Sequence, residues 1–193
     1  MRRRTLDILL TTGGLVLAAI LLVAGGLLVW ANSFIEDQVT TQLTQQSIFF
    51  PPKGEATADP RIGPYINQYA EQQLVDGEQA KAYADHFIKV HLDESTGGKT
   101  YSELSAISRE NPDDAEAAAL VQTAFRGETL RGLLLNAYAF WKMAQIAMYA
   151  AIAAFVGAGL MLLLSIAGFV HLRRVDPAEE VFTEHTEKAP ALT

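Results

Sequence analysis

The side chains best suited to chemistry in this chain of 193 residues lie between positions 85 and 142. His86 and His91, with Asp85 and Asp93 close by, are the residue types that hold a divalent metal. Five residues apart on a helix, two imidazoles point about 140° apart, whereas residues four apart share a face. The spacing therefore predicts structural or solvated histidines and no metal site. The carboxylate pairs Asp93/Glu94 and Asp113/Asp114 could in principle divide acid and base roles, but their positions suit solvated residues and helix ends. A third group is "FRGETLRG", which carries Arg126, Glu128 and Arg131 and runs on to Trp141 and Lys142. Arg126 or Arg131 could grip an acidic partner or a lipid phosphate. Alternatively, Glu128 and Arg131 form a local pair, and Tyr138, Phe140, Trp141 and Lys142 anchor a helix where it enters a bilayer. The chain has no cysteine, which excludes disulfides, thiolate metal sites and cysteine nucleophiles. It also has no glycine-rich phosphate loop, nucleophile elbow or zinc motif. No catalytic residue and no cofactor are expected.

The elements that carry these residues follow from two apolar blocks. Half of the residues are hydrophobic, yet mean hydropathy is only +0.14, because the apolar residues are concentrated. Residues 8–35 and 143–170 contain no Asp, Glu, Lys or Arg. As helices, each would reach about 42 Å, against about 30 Å for a hydrocarbon core. The sequence predicts an all-α protein with transmembrane helices over 8–33 and 143–171. The first block is longer than the apolar part of a signal peptide, about 7–15 residues, so it is expected to be retained. Arg2, Arg3 and Arg4 precede the first span, and Arg173 and Arg174 follow the second. That bias puts residues 1–7 and 172–193 in the cytoplasm, and a helical domain, 34–142, outside the plasma membrane. The 172–193 tail is acidic and expected to be disordered. Residues 31–142 hold 16 Asp/Glu against 9 Lys/Arg, a net charge of −7, which suits neither nucleic acid nor an anionic headgroup plane.

Apart from His171 at the inner boundary, the spans hold no ionisable residue of the kind that pumps and proton channels use. What the second span does offer is a line of small residues, Ala147, Ala151, Ala154 and Ala158, with Gly157 beside them. Gly14 and Ala18 make a similar pair in the first. Such faces let helices approach closely, either span against span or against another membrane protein, with lipid covering the rest.

Between the spans, Ile35, Val39 and Leu43 extend the first helix as a narrow apolar stripe. Pro51 then forces Phe50 out of helix. Ile48, Phe49 and Phe50 read either as a plug into the outer domain or as a docking strand for a partner. A helix is expected from Pro64 to near Leu74, followed by one capped by Asp76 and Gln79 and ended by Gly97-Gly98. Its apolar face comprises Ala80, Tyr83, Ala84, Phe87, Ile88 and His91. Thr100 and Glu103 cap a short helix, and Asn111-Pro112-Asp113-Asp114 starts another. No proline follows until Pro177, so this last helix is expected to continue through the second span.

Three stretches, "IFFPP", "YAEQQLVDGEQAKAYADHFIKVHL" and "FRGETLRGLLLNAYAFW", carry a resemblance. They are similar to a group of actinobacterial two-pass proteins with an outer helical domain. One branch resembles the association factor of the respiratory supercomplex that joins cytochrome bcc to cytochrome oxidase. The resemblance covers roughly residues 1–175 and implies a non-catalytic accessory subunit, with cytochrome bcc and cytochrome oxidase as membrane-embedded partners. A dioxygenase role attached to some members would need a 2-His-1-carboxylate iron site, for which this sequence has no ligands. The alternative reading is a free-standing, membrane-anchored outer binding or sensor protein.

Overall fold

The computed structural model describes residues 3–174, so Met1, Arg2 and all but the first residues of the expected 172–193 tail lie outside the described residues. The fold is all-helical, with 82% of the described residues in helix and no strand among them. In chain order the elements are α1 (Arg3–Gln45), α2 (Gly63–Ile66), α3 (Gly77–Ala82), α4 (Lys89–Thr96), α5 (Tyr101–Glu110) and α6 (Ala115–Leu172). Both α1 and α6 are long and apolar enough to cross a membrane. Their 43 and 58 residues correspond to about 65 and 87 Å, so the expected spans are parts of longer rods. The chain packs as two compact units, one from Met1–Val29 with Met148–Thr193 and the other from Trp30–Ala147.

In the first unit, Thr11, Ala18 and Gly25 of α1 are buried, as are Ala151, Ala158 and Ser165 of α6. Each set repeats every seven residues, which keeps it on one face of its helix. Ser165 Oγ donates to the Thr11 carbonyl at 3.2 Å. A Cβ added at Gly168 would lie 2.4 Å from Thr11 Oγ1, so the absence of a side chain there is what lets the helices approach. In lipid the hydrophobic effect does not drive helices together, and close packing with an occasional hydrogen bond takes its place. Ile20, Val23, Ile152 and Val156 are exposed, as lipid-facing positions would be.

The second unit has a core of conventional type. Val39 and Leu43 of α1, Leu134 of α6, and Phe50, Ile66, Leu74, Ala80 and Ala84 form one buried apolar cluster, with Ile35 packed beside it. The seven-residue interval recurs here at Asn32 and Val39, and Asn32 Nδ2 donates to the Ala144 carbonyl at 3.0 Å. The Thr44 carbonyl accepts from Gln73 Nε2 at 2.8 Å and also from Ser47 N–H at 3.1 Å, tying residue 73 to the end of α1.

Residues 48–50 run extended beside 71–74: Phe50 N–H donates to Gln72 O (2.9 Å), Glu71 N–H to Phe50 O (3.2 Å) and Leu74 N–H to Ile48 O (2.9 Å). The helix expected from Pro64 to Leu74 is therefore cut short. Only α2 and a 3-10 turn, Asn67–Tyr69, form before Glu71 takes a left-handed φ of 63°. Helix propensity is a weak preference, at most about 0.7 kcal/mol per ordinary residue. Leaving buried backbone groups of 48–50 without partners costs more, about 1–3 kcal/mol each.

The capping boxes form where the residue types require them. Asp76 accepts from Gln79 N–H at 2.8 Å, and Gln79 Oε1 accepts from Val75 N–H at 2.7 Å. At α5, Thr100 N–H donates to Glu103 Oε2 at 2.8 Å. Between α3 and α4 the helix passes through a π-helical stretch, Tyr83–Ile88, that the spacing did not foretell. The wider turn shifts the register, so Val90, Leu92 and Thr96 are buried while His91, expected on the apolar face, is exposed. The last helix also starts later than Pro112 suggests. Asp114 Oδ1 accepts from Glu116 and Ala117 N–H at 2.9 and 3.0 Å, making Asp114 the cap and Asn111–Asp114 a turn. From Ala115, α6 runs unbroken past Gly127 and Gly132 to Leu172.

Candidate functional site

In the Trp30–Ala147 unit the charged side chains converge between the Gly77–Ile88 stretch and α6. Arg131 Nη2 donates to Asp85 Oδ1 at 3.1 Å, and its Nη1 lies 3.6 Å from Glu128 Oε2. Lys81 pairs with the other Asp85 oxygen, and Lys142 pairs with Glu78. Lys81 and Lys142 Nζ lie 5.5 and 5.6 Å from the Tyr138 ring centroid, within reach of its negative face. Burial pushes the Asp85 carboxyl up, but the hydrogen bonds from Lys81 and Arg131 outweigh it and hold it below the usual carboxylate range. An acid held ionised in this way is a poor proton donor and a good tether. Its stabilising effect is complete above the unfolded carboxyl pKa of about 3.9 and is lost as pH falls through the lower folded value. Asp85→Asn is expected to cost about 1 kcal/mol at neutral pH, the upper end for a pair still in contact with solvent. That deficit should shrink below about pH 4. Urea unfolding of both proteins at pH 7 and at pH 3, followed through tryptophan fluorescence, checks both the size and the direction.

The histidines are held separately. His86 stacks on Tyr65, with ring centroids 3.5 Å apart and planes 5° apart, and its Nδ1 is 3.2 Å from the Arg61 carbonyl. His91 Nδ1 is 2.7 Å from the Phe87 carbonyl. Among the described residues no three His, Asp or Glu side chains are placed to share a metal ion. Arg61 joins the 59–62 loop to α4 through Asp59 and Glu94, a tie with no local sequence signature. The Arg61 hydrogen bonds hold the Asp59 carboxyl down at about 2.

The residues singled out as partner contacts fall into two groups. Phe49 and Arg126 are exposed. Phe50, by contrast, is buried against Tyr69 and Tyr83, with ring centroids 5.1 and 5.3 Å away. Arg131 is engaged by Asp85 and Glu128, and its Nε is buried without a hydrogen-bond partner among the described residues. Trp141 packs on the core of its unit, so close to Gly77 that a Cβ there would come within 2.3 Å. Ala151, Ala154 and Ala158 are buried inside the first unit, and Ala147 is half-buried in the second. Of the two uses open to that small-residue face, packing within the chain is the one seen for Ala151 and Ala158, with Ala144 and Ser165 extending the face at the same interval.

One polar group was missed by sequence reasoning. In the first unit, Asp7 and Thr11 of α1 meet Ser165 and His171 of α6 around a cleft of about 270 Å³, floored by Gly14 and Gly168. Asp7 Oδ2 is closed off from solvent and accepts no hydrogen bond from any described residue. The spacing of Asp7, Thr11 and Gly14 on one helical face was a usable signal, but nothing local connects it to His171. No protein-family model, curated protein or solved structure matches the chain.

Proposed function

We propose that this is a two-pass protein of the plasma membrane, with cytoplasmic termini and the 34–142 segment outside. It acts there as a non-catalytic accessory subunit that stabilises a larger membrane complex. The observation that carries this reading is how the Trp30–Ala147 unit uses its charged groups. Lys81, Asp85 and Arg131, and Glu78 with Lys142, are tied to each other between helices, where they hold the fold together. The arginines flanking both apolar blocks support the orientation. Exposed apolar residues along α1 and α6 give surface for lipid or for a neighbouring helix, and Phe49 and Arg126 give an outward contact. The resemblance carried by "IFFPP" and "FRGETLRG" points to cytochrome bcc and cytochrome oxidase as the complex.

One preparation tests both parts. A tagged Lys99→Cys protein, in a chain with no other cysteine, is labelled in intact cells with a membrane-impermeant thiol reagent and purified in mild detergent. The expected result is a labelled protein with cytochrome subunits in stoichiometric amount. Labelling only after lysis reverses the orientation. A labelled protein that purifies without any stoichiometric companion replaces the accessory role with the free-standing binding or sensor role.

A further inference from the structure

We infer that the cleft between Asp7 and His171 seats the headgroup of an anionic phospholipid whose head bears hydroxyl groups. The inference rests on the membrane-spanning reading of α1 and α6 and is independent of the accessory role. Three features of the cleft converge on this ligand. The first is charge at its mouth. Arg3 and Arg4 precede Asp7 by one helical turn and so lie on its face of α1. Arg173 and Arg174 follow His171 in a turn closed by the Arg174 N–H on the His171 carbonyl at 2.8 Å. Arg4, Arg173 and Arg174 are exposed. Arginines grouped at the cytoplasmic end of transmembrane helices attract lipid phosphate, each contributing on its own and two-pronged where geometry allows.

The second feature is the polarity inside. Ser165 gives its proton to the Thr11 carbonyl, which leaves the hydroxyl oxygen as an acceptor. Asp7 adds a carboxylate to the wall, and Thr11 and His171 can each donate or accept. Such a wall suits a head bearing hydroxyls, which both donate and accept. The Asp7 carboxylate repels a second anion, so the phosphate belongs at the arginine mouth and the hydroxyls of the head belong inside. Choline, which has no donor, fits poorly.

The third feature is size and lining. About 270 Å³ is the share of roughly nine water molecules, room for a glycerol-sized head. Leu10 and Leu164 continue the wall in apolar form, where an acyl chain would leave toward the bilayer.

The test is native mass spectrometry of the purified full-length protein titrated with phosphatidylglycerol, phosphatidic acid or phosphatidylcholine. Wild type should retain phosphatidylglycerol at about tenfold lower concentration than phosphatidylcholine. Arg4→Gln/Arg173→Gln/Arg174→Gln should erase that difference. Wild type should also prefer phosphatidylglycerol to phosphatidic acid, which lacks the hydroxylated head, and Asp7→Ala and His171→Ala, each checked for wild-type helicity and monodispersity, should erase that preference. Equal retention of phosphatidylglycerol and phosphatidylcholine by wild type overturns the inference, as does an intact preference in the triple variant. Displacement of the lipid by inorganic phosphate would show an anion site that does not read lipid, and overturns it too. Carbonate washing of membranes separates the levels: protein stripped off sinks the membrane reading as well, whereas retained protein without headgroup preference sinks the cleft alone.

Discussion

Proline at Ala124 is expected to destabilise the Trp30–Ala147 unit by about 3 kcal/mol or more. Ala124 lies inside α6 and is only 1% exposed. Proline would remove the N–H of that position and press its ring against the carbonyl one turn earlier, in a helix that has no other break from Ala115 to Leu172. The damage should spread, because α4 and α5 lean on this stretch. The Leu92 methyls fill the space beside Gly127, and Tyr101 sits on Phe125 with ring centroids 5.8 Å apart. Hydrogen exchange reads the effect directly: amide protection over 77–110 should fall about a hundredfold, the equivalent of that energy. Ala124→Gly, which keeps the N–H and costs about 1 kcal/mol, should lose far less. Unchanged protection in the proline variant would mean that the helix is already interrupted there.

The second large effect separates two adjacent residues. Phe50→Ala should cost about 3–5 kcal/mol, the usual range for a buried phenylalanine. Phe50 is 2% exposed and sits between the Tyr69 and Tyr83 rings, whereas Phe49 is 56% exposed. Phe49→Ala should therefore leave stability within about 0.5 kcal/mol of wild type. Urea midpoints for the two variants settle whether the 48–50 segment is a plug, as Phe50 is placed to be. If Phe49→Ala keeps wild-type stability but loses the companions that co-purify, Phe49 is the outward contact of the same segment.

The contrast within that dipeptide shows how far local pattern reaches. Pro51 told that Phe50 is not helical, but Ile48, Phe49 and Phe50 read together as one plug or one docking strand. Which of the two faces the core depended on residues 71–74, whose helical pattern gave way to backbone pairing with 48–50. The same limit explains the charged group. Glu128 and Arg131 were legible as neighbours on one helix, but the principal partner of Arg131 is Asp85, 46 positions away. A salt bridge of that separation has no periodic signature.

The sequence by itself determined the features that depend on a few turns of chain. Two long uncharged blocks were enough for two helices able to cross a membrane, and the pairs Asp76/Gln79 and Thr100/Glu103 were enough for the caps of α3 and α5. Each of these is settled by interactions within about one helical turn, or by composition over about twenty residues. The tertiary structure decided which faces are used. The small residues at Ala144, Ala151, Ala158 and Ser165, and those at Thr11, Ala18, Gly25 and Asn32, are visible as seven-residue repeats only once their burial is known. The hydrogen bonds Asn32–Ala144 and Thr11–Ser165 span 112 and 154 positions, and the Asp7–His171 cleft is of the same long-range kind. A helix with small residues on more than one side has several faces of nearly equal merit. Close approach at one of them, where a carbonyl finds a hydroxyl or an amide, is a property of the pair of helices and is encoded in neither alone.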